Sequence, residues 1–424
     1  MSAPGAFLGG AKSRLLPASI PLRFFGAAVI FHVLAWLALG AGASIWPRAP
    51  AGMGWPLAAL HLITLGVLAM TAIGAGSQLL PVATRQPAPG HRALAALWWV
   101  YTPGVAVLAL GMGLVMPALL AVGAVAVTGS LAVWAFLMVH HLRGARGMPG
   151  VVAHGWTALA ALVVVLGSAL SLAAGWLGLP APDRQTVLAL HLVFAPYGFM
   201  GLLALGLSSI LVPMFAMADA PSDRTQLTSC ALAVAALALA AVAAFGVAVT
   251  ALQLGALAAG VAAVALHLRA MFRVLQTGMR RELGRSFVLV KIGWAGLVSS
   301  LVLALALVIH GTQPALSAAF GLCLVGVWLL SFVLGLLQRI VPFLAAMHGG
   351  GSGRRARTPS AMTSEPALRV HFFCHLAALG LLALAIAADS WIAAAAAATI
   401  GCGGALAFGF FYFTVLVRLQ RTPS

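Results

Sequence analysis

Long apolar runs, each about as long as a bilayer is thick, are the feature that most restricts how this chain can fold. A run of about 20 apolar residues crosses the ~30 Å hydrocarbon core of a membrane. Backbone groups inside that core must be paired within the segment, which favours helices. The sequence therefore predicts an all-α polytopic membrane protein with about twelve transmembrane helices, at residues 20–46, 57–81, 95–113, 118–140, 152–176, 186–215, 228–250, 252–275, 286–309, 318–344, 370–388 and 391–417.

The low content of charged residues supports the same class. Only 7% of the 424 residues are Asp, Glu, Lys or Arg, whereas soluble domains carry about 25%. Short polar joints separate the apolar runs, and the longest joint, 349–369, is rich in Gly, Ser and Arg. That composition predicts a flexible cytoplasmic loop. The whole chain, 1–424, is predicted to form a single transmembrane domain.

The distribution of positive charge predicts the orientation. The net charge is +17, and all but two of the 23 Lys and Arg residues fall on the predicted side that carries both termini. Only Arg48 and Arg184 fall on the other side. Because basic loops stay in the cytoplasm, both termini are predicted to be cytoplasmic, in a bacterial inner membrane. The predicted partner is thus the lipid bilayer, and nucleic acid is not predicted.

Three segments share a pattern four helices apart. They are ALHLITLGVLAMTAIGAGSQLLPV (59–82), ALHLVFAPYGFMGLLALGLSSILVPMF (189–215) and VIHGTQPALSAAFGLCLVGVWLLSFVLGLLQRIVPF (308–343). Aligned on their prolines, they share a glycine seven residues earlier: Pro81 with Gly74, Pro213 with Gly206 and Pro342 with Gly335. The pattern predicts three repeated groups of four helices, with the second, sixth and tenth helices around one axis. The alternative is that these residues serve only packing and helix termination.

Histidines at the outer ends of these helices are the candidate ligands. His61, His191 and His310 all fall near the predicted outer face. Imidazole ligates haem iron and copper, and an intramembrane polar residue is by default a functional hypothesis. The alternative for each is a hydrogen bond to a neighbouring helix. The histidines at the predicted cytoplasmic side include His371 and His375, one turn apart with Cys374 between them, and such a set forms either a second metal site or an interfacial helix face; no role is assigned to His32, His154 or His267.

This arrangement resembles a known family. Twelve helices in three groups of four, with histidines at the outer ends of the second, sixth and tenth, resemble subunit I of the haem–copper oxidases. The phrases ALHLITLGVLAMTAIGAGSQLLPV and LHLVFAPYGFMGLLALGLSSILVPMF also resemble the NnrS-type membrane proteins linked to nitric oxide. The resemblance implies a haem of unspecified type, with copper left open. It also implies nitric-oxide or respiratory electron chemistry near the outer face, with a diatomic gas or a redox protein as partner.

Individual residues of this chain match the family's ligand positions only in part. It implies that His61 is an axial haem ligand, that His191 faces the distal side or a second metal, and that His310 is the remaining ligand. The tenth helix has Leu322 at the matching register, twenty residues before its proline. Residues 227–260 contain no histidine where the oxidases place a pair, and Ala195 stands where their tyrosine would be. If the chain is an enzyme, the expectation is an oxidoreductase of the oxidase or nitric-oxide reductase type with an incomplete copper site.

A second class of function remains open. Twelve helices are equally typical of a secondary transporter or permease without haem, and a protein that only binds or delivers a metal is a third alternative. All six carboxylates fall in loops or at predicted helix ends: Asp183, Asp219, Asp223, Glu282, Glu365 and Asp389. Because proton-coupled transport uses intramembrane acids, this distribution favours the haem interpretation.

Overall fold

Twelve long apolar helices make up the fold. A computed structural model describes residues 14–46, 52–348 and 358–420. Within those residues there is no β-strand, and twelve helices are long and apolar enough to cross a membrane. The predicted all-α polytopic class is confirmed. The helices are α1 (Ser19–Ala41), α2 (Trp55–Thr84), α3 (His91–Gly113), α4 (Pro117–Arg143), α5 (Pro149–Trp176), α6 (Arg184–Ala216), α7 (Asp223–Ala244), α8 (Val249–Thr277), α9 (Gly284–His310), α10 (Pro314–His348), α11 (Glu365–Ala388) and α12 (Trp391–Gln420).

Several helix ends differ from the prediction for local reasons. Helix α1 ends at Ala41, five residues early, because Gly42 caps it and a turn follows. Helices α10 and α11 begin earlier than predicted, each with a proline in its first turn, where the missing N–H costs nothing. Residues 349–357 of the predicted loop lie outside the described residues. The rest of that segment holds the short helix Pro359–Met362 and the start of α11, so it is helical.

The second, sixth and tenth helices share an unusual internal structure. Each begins as an α-helix, continues as a π-helix and returns to α; the π-helical segments are Leu62–Ala69, Phe194–Gly201 and Leu322–Leu330. Each ends twelve residues before its proline, at Pro81, Pro213 and Pro342. Because π-helix is rare and frequently marks functional sites, three segments in one register indicate a true internal repeat.

The π-helical segments also correct the alignment of α10. The fifth residue of every segment is a glycine: Gly66, Gly198 and Gly326. The third segment is one residue longer than the others, so alignment on the proline alone hides its glycine. When the segments are aligned on this glycine, Gly321 rather than Leu322 is the residue of α10 that aligns with His61, because each directly precedes its π-helical segment. Neither residue can ligate a metal.

The packing of the helices repeats with the same period. Helices α1, α5 and α9 pack on α2, α6 and α10 respectively, while α3–α4, α7–α8 and α11–α12 form antiparallel pairs. Helix α4 packs on α5, α8 on α9, and α12 returns to α1, which closes the ring. At the centre, α2 contacts α6, and α10 contacts both. The predicted approach of these three helices is confirmed.

The shared glycines lie where the central helices meet the first helix of each repeat. A Cβ at Gly74 would lie 3.0 Å from Phe25 of α1, and one at Gly206 would lie 2.8 Å from the Cβ of His154 in α5. A Cβ at Gly335 would lie 2.6 Å from the carbonyl oxygen of Ser286 in α9. A small residue is therefore required at the same place in all three repeats.

Successive helices alternate in direction, so the bundle has two distinct ends. The basic end is defined here as the one where α1 begins and α12 finishes, beside Arg23 and Arg418. The opposite end is where α2 and α6 begin. The basic end is the one that the distribution of arginine predicts to face the cytoplasm.

Candidate functional site

His61 lies at the junction between the α-helical and π-helical parts of α2, near the opposite end. Its Nδ1 is 3.0 Å from the carbonyl oxygen of Leu57, one turn earlier. Because a carbonyl only accepts hydrogen bonds, this contact assigns the ring proton to Nδ1. The half-buried ring is then left with a lone pair on Nε2, the atom that ligates a metal when Nδ1 is held by the protein.

His191 has the same chemical arrangement in α6, three residues before the π-helical segment begins. Its Nδ1 is 3.2 Å from the hydroxyl oxygen of Ser168 in α5. That hydroxyl donates its proton to the carbonyl oxygen of Val165 at 3.0 Å, so it accepts from His191. The half-buried ring of His191 likewise presents Nε2 as a free lone pair.

An N-cap fixes where α6 begins and so helps set the depth of His191. The Asp183 carboxylate accepts a hydrogen bond from the backbone N–H of Thr186 at 2.8 Å and another from its hydroxyl at 3.0 Å. These bonds, the backbone one first, lower the pKa of the exposed Asp183 carboxyl. A negative charge at the start of a helix also interacts favourably with the helix dipole.

The two imidazoles lie in the same part of the bundle. His61 and His191 each lie near the start of a central helix, at the opposite end, and their two helices contact each other deeper in the bundle, between Met70–Thr84 and Leu202–Ala216. In both, Nδ1 donates to a protein oxygen and Nε2 has no hydrogen-bond partner among the described residues. The pair therefore offers two neutral nitrogen ligands from one region, which is the donor type that haem iron accepts from a protein.

His310 does not join this pair through any contact among the described residues. It is the last residue of α9, its side chain is exposed, and Gly311 follows it at a φ of 77°, which turns the chain toward α10. The start of α10 supplies no histidine in its place. A ligand role for His310 stays a prediction from the sequence.

A second histidine cluster lies in the interior, between α1 and α11. His32, His371 and His375 are each at most 2% exposed. The rings of His32 and His371 are 6.2 Å apart between centroids, and those of His371 and His375 are 5.7 Å apart and stacked. Each ring uses one nitrogen in a hydrogen bond: His32 with Trp36 of its own helix, His371 with the carbonyl oxygen of Gly404 in α12, and His375 with Ser331 in α10. The other nitrogen of each has no partner in the structure.

The hydrogen bonds argue against this cluster as a three-histidine metal site. The indole N–H of Trp36 donates to Nε2 of His32, so the ring proton of His32 resides on Nδ1 and neither nitrogen of His32 is free to ligate a metal. In the described part of the chain, no three His, Cys, Asp or Glu side chains are placed to hold a metal ion. The alternative of a metal site at His371, Cys374 and His375 is therefore not the arrangement in the structure.

Two further buried histidines, His154 and His267, follow the hydrogen-bonding alternative. His154 bonds through Nδ1 to the carbonyl oxygen of Gly150 at 2.8 Å, and His267 bonds through Nε2 to Ser208 at 3.1 Å. Such contacts offset the cost of burying an imidazole. The contact with Ser208 ties α8 to α6, whereas the contact with Gly150 lies within α5.

Comparison with known protein families and with curated proteins finds no match to this chain. The functional interpretation therefore depends on the geometry of His61 and His191. Two features of that geometry, the π-helical segments and the contact of Ser168, were not predicted from the sequence. The π-helical segments had a signal in the spacing of Gly66 and Gly198 before their prolines, whereas Ser168 had none, because serine is common at helix contacts.

Proposed function

We propose that the protein is an integral-membrane haem-binding protein of the haem–copper oxidase-like class, with His61 and His191 as the ligands. The observation that carries this proposal is their matching hydrogen bonding. Nδ1 of each ring is bonded to an oxygen of its own repeat, which leaves both Nε2 atoms as lone pairs on adjacent central helices. Orientation of a ligating imidazole through its other nitrogen is typical of metal sites.

The chain orients the two imidazoles and shapes the helices beside them. When bound, a haem would supply one-electron chemistry at its iron, and diatomic-gas chemistry only where one of the two histidines gives way to the gas. The Leu57 carbonyl and the Ser168 hydroxyl hold the two imidazoles in fixed tautomers. The π-helical segments beside them widen α2 and α6 at the same level. The proposed activity is nitric-oxide or respiratory electron chemistry near the outer face, in a bacterial inner membrane with cytoplasmic termini. Copper and the redox partner stay open within this proposal.

The absorption spectrum of the purified full-length protein, expressed with ample haem, tests the proposal. The wild type is expected to show a Soret band, and His61→Ala and His191→Ala are each expected to abolish or shift it. His140→Ala is the matched control, since His140 is an exposed histidine at the basic end. His310→Ala is expected to leave the band intact if the pair alone ligates. Loss of the band in His310→Ala would instead restore His310 as a ligand.

A secondary transporter is the second candidate, and one observation favours it. Transporters commonly interrupt their central helices around a substrate site near the membrane midplane, and here three π-helical segments surround one axis. If the wild type shows no Soret band under haem-replete expression, this function replaces the first.

A further inference from the structure

A groove on the membrane-facing surface lies at the basic end, between α1, α3 and α12. Its volume is about 580 Å³. Along α1 it extends from Ala18 to Phe31, about 20 Å at a rise of 1.5 Å per residue. The walls are largely apolar and include Leu22, Ala27, Ile30, Leu416 and Leu419. Its length and its lining match one acyl chain of a membrane lipid.

The groove holds one cation in a fixed position. Arg23 lines it, and its Nε donates to the carbonyl oxygen of Ser19 at 3.1 Å. Its guanidinium carbon lies 5.8 Å from the centre of the Trp98 ring, and the indole N–H of Trp98 donates to the carbonyl oxygen of Arg23 at 3.1 Å. No carboxylate is among the described residues that line the groove. None of those residues therefore neutralises the charge of Arg23, and its remaining N–H donors are available to an anion.

A second polar group lies further along the groove. The hydroxyl of Thr102 is buried and has no hydrogen-bond partner in the structure, although it lines the groove. By contrast, the hydroxyl of Tyr412, which also lines the groove, donates to the carbonyl oxygen of Leu22. The hydroxyl oxygen of Thr102 is covered in this side-chain conformation, so rotation about χ1 of Thr102 is needed to bring this donor to a ligand in the groove.

We propose that this groove is a binding site for one phospholipid with an anionic headgroup. Arg23 binds the phosphate, Thr102 donates to an ester oxygen, and an acyl chain lies along the apolar wall. Basic pockets between helices at the cytoplasmic side of a membrane commonly bind anionic headgroups, and guanidinium–phosphate bonds are among the strong hydrogen bonds. Inorganic phosphate would leave the apolar wall uncovered. Because His61 and His191 are at the opposite end, the site does not depend on haem.

Lipid retention, measured by native mass spectrometry, tests this inference. The full-length protein is delipidated in a neutral detergent and titrated with phosphatidylglycerol or phosphatidylethanolamine. The wild type is expected to prefer phosphatidylglycerol, and Arg23→Gln is expected to reduce that affinity about fivefold, the factor for one arginine at an anionic lipid. Arg92→Gln is the matched control, because Arg92 is an exposed arginine at the start of α3, outside the groove. An equal loss in both variants, or no preference in the wild type, overturns the proposal.

A second measurement locates the lipid without relying on the Arg23 variant. Phosphatidylglycerol with brominated acyl chains is added to the wild type and to Trp98→Phe, and the quenching of tryptophan fluorescence is compared. Trp98 is half-buried in the groove, so the wild type is expected to show a quenched component that Trp98→Phe lacks. That component should also fall in Thr102→Val. If Trp98 contributes no quenched fluorescence, the groove does not hold the acyl chain.

Discussion

Ser168 is the residue whose role at the candidate site is most specific. Its hydroxyl accepts from Nδ1 of His191 and donates within its own helix, so it fixes both the ring orientation and the tautomer of His191. Loss of such a partner commonly lowers metal affinity 10- to 100-fold. The ligand itself would remain in place.

Replacement of Ser168 by alanine is therefore expected to weaken haem retention about tenfold and to shift the absorption bands without abolishing them. Haem transfer to apomyoglobin measures the retention. Ser171→Ala is the control, because Ser171 is one turn further along α5 and its hydroxyl bonds only to the carbonyl oxygen of Gly167. If both variants lose haem at the wild-type rate, Ser168 does not orient a ligand.

At this scale the sequence predicted candidate residues but not their contacts. His61 and His191 are conspicuous because histidines are rare in apolar helices, and their depth follows from helix length alone. Their hydrogen bonds could not be predicted, since Leu57 acts through its backbone and Ser168 comes from another helix. His310 shares their end of the bundle, yet it terminates α9, which leaves its side chain exposed.

The π-helical segments are the elements that distinguish the central helices. A π-helical turn leaves carbonyl groups without their usual partners, and inside a bilayer these must be satisfied by side chains. Tyr101 of α3, which is fully buried, donates to the carbonyl oxygen of Leu65 at 3.0 Å. Ser331 of α10 donates to the carbonyl oxygen of Gly326 at 3.2 Å. Apolar periodicity cannot reveal such segments, because almost all of their residues are apolar.

Tyr101→Phe is expected to destabilise the protein by about 1 kcal/mol, since it leaves the Leu65 carbonyl unpaired in a buried position. Tyr412→Phe likewise removes a tyrosine hydroxyl, one that donates to the carbonyl oxygen of Leu22 in a regular α-helix. It is expected to lower the free energy of unfolding by less. Thermal unfolding in detergent, followed by circular dichroism, measures the difference. Equal melting temperatures for the two variants would mean that the π-helical segment does not depend on Tyr101.

Across the residues that the structure describes, the sequence predicted the count of membrane-spanning helices and the three-fold repeat correctly. Both follow from bilayer thickness and from the spacing of proline and glycine, which are local signals. The closure of the ring by α12 against α1 was not predicted, because it joins residues almost a full chain length apart. The helix boundaries were less accurate, since polar residues such as His91 and Glu365 extend the helices beyond the apolar runs.

The orientation of the bundle is a prediction at this scale. Alkaline phosphatase fused after Pro182 or Thr312 is expected to be active, because these joints lie at the end that is poor in arginine. The same enzyme fused after Gly147 or Pro221 is expected to be inactive, and green fluorescent protein at these two sites should fluoresce. The reverse pattern would place the candidate haem site at the cytoplasmic face.

The central claim is that His61 and His191 together ligate one haem iron at the end of the bundle opposite the basic one. Electron paramagnetic resonance of the oxidised, purified wild-type protein tests it most directly, because two imidazole ligands give a low-spin ferric signal whereas a single histidine leaves a high-spin one. The account predicts a low-spin signal in the wild type that becomes high-spin in His191→Ala. A haem-replete wild type with only a high-spin signal, or with no haem signal, would contradict it.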